Sequence, residues 1–307
     1  MRRLDGSCLQ VTFLLKRELS LDIGSNLLVL VPVGGEGVKP MTIEELHEKV
    51  KHMNPIDDLF MKKMVEDRNF CQEVIWAATG DKSIVIVSND PQAVVSNLQG
   101  RSVILDVRCI DGEGKNILIE IQKSDDDNHV YRVRYNASVT TANITDPGTK
   151  FEKVPRILSI YITKNDFIAK LALEQGFGEE DVLSNMSAVY HVDRIVRETG
   201  QILDNGMEEI YVNGKVKDGS DASDMMTIFT EDEAYDHKKF PAISKRKWQF
   251  KNNEKEVGEM GYSYEEIKNE GRAEGREDVL KALLEDGTIT PEKADDIRKK
   301  EMAKATG

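Results

Sequence analysis

Ser102-Val103-Ile104-Leu105-Asp106-Val107-Arg108-Cys109 and Asn116-Ile117-Leu118-Ile119-Glu120-Ile121-Gln122 read as two alternating strands joined by Asp111-Gly112-Glu113-Gly114-Lys115. The glycines and polar residues between them have the chemistry of a tight hairpin loop. With Glu113 at the loop centre, antiparallel pairing sets Asp106 directly opposite Glu120. Strand side chains repeat with a period of two. One face is then Val103, Leu105, Val107, Ile117, Ile119 and Ile121, and the other carries Ile104, Asp106, Arg108, Leu118, Glu120 and Gln122. A one-residue slip would turn the apolar set to the wrong face, so the burial pattern supports this register.

Opposed residues in such a pair have Cβ atoms roughly 5 Å apart, where like charges repel. Two arrangements relieve the repulsion: one carboxylate takes up a proton, or a cation sits between them. Oxygen ligands on a rigid sheet suit a hard cation such as Mg²⁺, with Mn²⁺ as a substitute, completed by water and phosphate. Such an ion activates water and stabilises charge on a phosphoryl oxygen. The plainer arrangement is a polar face open to solvent on which Arg108 neutralises Glu120. Spacing alone does not separate the two.

Further stretches surround the hairpin in a fixed order. Asn54-Pro55-Ile56-Asp57-Asp58-Leu59-Phe60-Met61-Lys62-Lys63 lies upstream, and Arg101-Ser102-Val103 leads into the Asp106 strand. Arg132-Val133-Arg134-Tyr135 and then Pro155-Arg156-Ile157-Leu158-Ser159-Ile160-Tyr161-Ile162-Thr163 follow. Near the end stands Glu270-Gly271-Arg272-Ala273-Glu274-Gly275-Arg276-Glu277. Together with Asp106 and Glu120-Ile121-Gln122, these resemble the PD-(D/E)XK nuclease family transposases, the recombination-promoting nuclease branch, over roughly residues 53–300. That branch tends to carry Glu-x-Gln where other members carry Glu-x-Lys.

The resemblance implies a metal-dependent DNA endonuclease with Mg²⁺ held by Asp106 and Glu120. Gln122 stands where related nucleases place lysine, and it can orient the attacking water only by hydrogen bonding. Asp58 matches the acidic residue of the family's first helix, with Asp57 as the competing match and an N-cap as the ordinary role of either. Arg134 resembles the arginine of the following helix and is expected at phosphate or beside Glu120; a solvated surface arginine is the ordinary reading. Lys62 and Lys63 are read as solubilising residues of an exposed helix face. A catalytically silent DNA- or protein-binding relative from a mobile-element lineage is the alternative, and an RNA-directed nuclease stays open.

The expected fold is α/β (α+β): a restriction-endonuclease-like αβββαβ core with a mixed sheet and a mostly helical C-terminal extension. Periodicity supplies the elements. A helix is expected from residue 53 to about 77 with Phe60, Met64 and Val65 on one face, and a strand at 84–87. After the hairpin comes a helix over 127–142, whose buried stripe reads Val130, Val133, Ala137 and Thr141. A doubly buried strand at 157–162 follows. Beyond it, residues 169–173 and 181–196 read as helices and 209–216 as a hairpin with an Asn-Gly turn. Residues 219–224 read as a polar loop. Thr290-Pro291 opens a final short helix.

The division expected is an N-terminal extension at 1–40, a nuclease core at 41–165, accessory elements at 166–262 and a charged helical tail at 263–307. Residues 1–40 read as peripheral, either weakly packed and ahead of the native start or a short strand pair on the sheet edge. Their apolar runs are too short or too interrupted for a signal peptide or a membrane span. Thr42-Ile43-Glu44-Glu45 has capping-box spacing for a helix. Leu280, Leu283 and Leu284 are expected to dock the tail on the core or on another copy, making it a packing or homo-oligomer element.

Three cysteines without ligand spacing exclude a disulfide framework or zinc site, and Cys109 reads as a small core residue. The five histidines show no ligand pattern. A soluble cytoplasmic protein is expected. With 42 basic and 55 acidic residues, the net charge of −13 opposes nucleic-acid binding by simple phosphate neutralisation. Much of the acid lies in 218–233 and 254–277, so weak, metal-dependent DNA affinity is the expectation.

Overall fold

The structure, a computed structural model, describes residues 43–97, 100–123, 129–253, 255–258, 275 and 277–306. The readings made of residues 1–40, of Thr42 as a helix cap and of most of the Glu-Gly-Arg run lie outside them. A six-stranded sheet in the order β1-β4-β5-β6-β10-β7 organises the chain. Its strands are β1 (Ile86–Pro91), β4 (Val107–Asp111), β5 (Asn116–Gln122), β6 (Ile157–Thr163), β10 (Met207–Asn213) and β7 (Val189–Val192). β5, β6 and β10 run parallel to one another, and the outer pairings are antiparallel. This is the mixed restriction-endonuclease-like sheet expected from the sequence.

The hairpin pairs Val107 with Ile119 and Cys109 with Ile117, the register read from the alternation. The Asp111 carboxylate closes the loop by accepting the N–H groups of Glu113 and Lys115, each at 2.9 Å. Gly114 adopts φ +82°, which a side chain would resist. The strand expected from 102 to 109 is not continuous, however. Val103–Ile104 (β3) leaves the sheet to pair with Val94–Val95 (β2), and the chain bends at Asp106. The bend breaks the alternation. Val103 and Leu105 join Leu118 and Ala137 in one apolar cluster, whereas Val107 and Ile119 belong to another.

Helices cover both faces. On one lie α2 (Asp58–Met64), α3 (Arg68–Thr79), α7 (Asp221–Thr230) and α8 (Pro241–Asn252), which share the main core with Ile119, Ile160 and Val212. α1 (Ile43–Lys51) adds Val50 to the same core. On the other, α4 (His129–Ile144) packs Val133 near Tyr161 and Tyr211, beside α5 (Phe167–Glu174). The single helix expected over 53–77 is two, because Asp67 caps a new start by accepting the Asn69 N–H at 2.8 Å. Both halves bury the same core, which is why the apolar period runs through the break. The short strand expected at 84–87 is displaced to Ile86–Pro91, since Gln72 and Trp76 of α3 hold the Ile84 carbonyl.

Other corrections cluster beyond β6. Residues 181–196 are not a helix: α6 (Glu179–Ser184) stops, then β7 pairs with β10, and β8 (Ile195–Val196) pairs with β9 (Gln201–Ile202). Residues 209–216 are not a hairpin. Asn213 ends β10 and its side chain accepts the Lys215 and Val216 N–H groups. Gly214 serves close approach, because an added Cβ would sit 2.9 Å from Met226 Cε and 3.1 Å from the Lys164 carbonyl. The polar stretch 219–224 is a helix start, Ser220 accepting the Ser223 N–H. Val130 is exposed rather than buried on α4.

Lys247 of α8 is fully buried and donates to the carbonyls of Ile228, Glu231 and Ala234, stapling the end of α7. The last helix, Pro291–Thr306, begins at Thr290 as expected and is longer than a short turn; Arg298 pairs with Glu277. No helix among the described residues is long and apolar enough to cross a membrane.

Candidate active site

Asp106 stands at the bend, one residue before β4, where two backbones meet. Its carbonyl accepts the Gln92 N–H at 2.8 Å. Its carboxylate Oδ2 accepts the Ile121 N–H, also at 2.8 Å, and the Glu120 carboxylate accepts the Asp106 N–H in return. Extending the β4–β5 register by one residue places the two acids opposite each other. Each therefore has one side fixed by the other's strand.

Glu120 is 8% exposed and also receives Asn136 Nδ2 at 3.2 Å. Burial pushes its carboxyl well above the usual carboxylate range, and the neighbouring Asp106 charge pushes the same way. Arg132, the Asp106 N–H and Asn136 pull it back only in part. Asp106 is raised too, by burial first and by the Asp58 charge, against the Ile121 N–H and Lys62. Arg108 does not neutralise Glu120; it donates to Asn116 Oδ1 at 2.8 Å. The open, solvent-facing arrangement is thereby set aside. Two opposed carboxylates that resist losing their protons, with Arg132 and Lys62 offsetting their charge only in part, form a donor set suited to a hard dication. Among the described residues no three His, Cys, Asp or Glu side chains converge on a metal-holding geometry.

The other expected residues divide. Asp58, at the first turn of α2, bears on Asp106 through its charge, and Lys62 one turn on does so with opposite sign. Asp57 is occupied otherwise: it accepts the Asn54 N–H at 2.8 Å and holds the Lys123 ammonium. Gln122 ends β5, and its Oε1 accepts Arg132 Nη1 at 2.9 Å. Arg134 is exposed, its guanidinium 5.5 Å from the centre of the Tyr131 ring. The arginine that reaches the site is thus Arg132, with Asn136 one turn later. The signal for them was present in the polar positions 129, 132, 136 and 140, which share one helix face. His129 and Thr140 of that stripe are buried as well.

A mixed sheet covered on both faces, with paired acids where β4 meets β5, defines a restriction-endonuclease-like nuclease fold. Residues 82–188 match the family model described as "PD-(D/E)XK nuclease family transposase". The matched stretch holds Asp106, Glu120, Gln122 and Arg132. No curated protein and no solved structure matches the chain.

Proposed function

We propose that the protein is a divalent-metal-dependent DNA endonuclease that hydrolyses phosphodiester bonds. The observation that carries this reading is the reciprocal Asp106–Glu120 lock, in which burial and mutual repulsion leave two rigid carboxylates in need of a cation. Asp106 and Glu120 would hold Mg²⁺ or Mn²⁺, and the Asp58 charge would favour the same ion. When bound, the ion supplies an activated water and stabilises charge on the phosphoryl oxygen. Gln122, whose Oε1 accepts from Arg132, would orient that water by hydrogen bonding through its amide. Arg132 keeps a positive charge beside Glu120, and exposed Arg134 meets phosphate further along the strand. Weak DNA binding follows from the acidic chain, with the metal offsetting the site's own negative charge.

Glutamine at position 122 leaves the general base unassigned, and a silent DNA- or protein-binding relative is the second reading. Incubation of supercoiled plasmid with Mg²⁺, Mn²⁺ or Ca²⁺ separates the two. The nuclease reading expects nicking with Mg²⁺ or Mn²⁺ by wild type and none by Asp106→Ala. Wild type that leaves plasmid intact under all three ions, while calorimetry shows no ion uptake, would establish the silent reading.

A further inference from the structure

A cleft of about 520 Å³ opens at the carboxyl ends of β6 and β10, between the first turn of α4 and α5. Its lining includes Tyr131, Asn165, Phe167, Lys170, Gln175 and Lys215. It begins where the candidate active site ends. Gln122 pairs in register with Thr163, and Asn165 follows two residues later. Adjacent strands are roughly 4.8 Å apart and two residues span at most ~7 Å, so this wall lies within about 12 Å of Gln122. On α4, Arg132 turns to Gln122 while its neighbour Tyr131 lines the cleft.

The chemistry is mixed rather than simply basic. Tyr131 is 64% exposed, and its aromatic ring also carries the Arg134 guanidinium 5.5 Å from its centre. Asn165 and Gln175 carry amides, which can both donate and accept. Lys170 lies 3.9 Å from Glu174, whereas Lys215 is exposed and makes no ion pair among the described residues. Asp166 is turned to structural work, accepting the Ala169 N–H and the Tyr190 hydroxyl. Aromatic surface, amides and one open ammonium match a nucleobase and its phosphate better than a bare polyanion. A paired base inside a duplex cannot enter a concave site, whereas an unpaired one can.

We infer that this cleft binds an unpaired deoxynucleotide next to the scissile phosphodiester, so that the preferred substrate is DNA with a single-stranded segment at the cut. The inference rests on the nuclease reading for the position of the cut and for DNA over RNA, but not for the binding of an unpaired nucleotide itself.

Fluorescence anisotropy of a labelled twelve-nucleotide single strand, the matching duplex and the matching ribo-oligonucleotide, in Ca²⁺, tests it with the full chain. Wild type should bind the DNA single strand more tightly than either competitor. Tyr131→Ala and Lys215→Glu should each weaken that binding about tenfold, and Lys281→Glu, with the same charge change in the tail, should not. Both positions are exposed, so melting temperatures should be unchanged. Equal binding by wild type and both variants, or tighter binding of duplex or RNA, would overturn the inference. Failure of plasmid nicking with these binding differences intact would instead refute the nuclease reading alone.

Discussion

Glu120 sits where its charge is costly, and this has a measurable sign. Its folded-state carboxyl is raised above the unfolded value, so the folded protein holds the extra proton between the ordinary range, ~4.3, and its own higher value. Across that window stability falls as pH rises, and above it the full penalty remains. Glu120→Gln should therefore raise the melting temperature of metal-free protein at alkaline pH and flatten its decline as pH rises above the ordinary carboxylate range. A gain of about 1 kcal/mol would appear as ~2–4 °C in calorimetry. Mn²⁺ should stabilise wild type and have much less effect on the variant. Gln122 carries a second expectation. Lysine there would stand beside Arg132, like charge against like. Gln122→Lys alone should lose plasmid cleavage, and Gln122→Lys with Arg132→Gln should recover part of it. The opposed acids were readable because glycine-bearing loop and alternation agree on one register. Arg132 was harder to choose over Arg134, since two arginines two residues apart differ only in which helix face meets the sheet.

Among the elements, those with unbroken local signals were legible: β5, β6, α4 and the opening of the last helix. Elements beyond β6 were not, because their identity depends on partners distant in sequence. β7 is a strand by virtue of β10, and Asn213-Gly214 looks like a hairpin turn until Met226 and the Lys164 carbonyl are brought against it. Lys247 illustrates the same limit. No local pattern marks it as buried, yet its ammonium meets three carbonyls at the end of α7. Burial pulls its pKa down to about 7. Between there and the ordinary lysine range the unfolded chain binds more protons, so this group's contribution to stability rises with pH. Lys247→Met should remove that slope and leave the carbonyls short of a donor. A loss on the order of 2–4 kcal/mol is expected, read by urea denaturation.

On the scale of the whole molecule, the tail is, among the described residues, the part least tied to the sheet's apolar clusters. Leu280 and Ala294 are buried but belong to none of the three apolar clusters around the sheet, and Arg298 pairs with Glu277 of the tail itself. Val257, in contrast, is part of the main core. Deleting residues 263–307 should leave the remaining chain folded, with a melting temperature within about 3 °C of the full protein, a shift that corresponds to ~1 kcal/mol. A smaller assembly on gel filtration after the deletion would give the tail a role in self-association.

The bend at Asp106 has a consequence for how the site comes into being. Leu105 and Val107 flank it and are buried in different cores. The acid between them has no settled position until both cores have condensed, so ligand affinity should be the last property acquired during refolding and the first surrendered on heating. Asp106 thus ties two apolar clusters together, and binding of an ion there would report that both have packed.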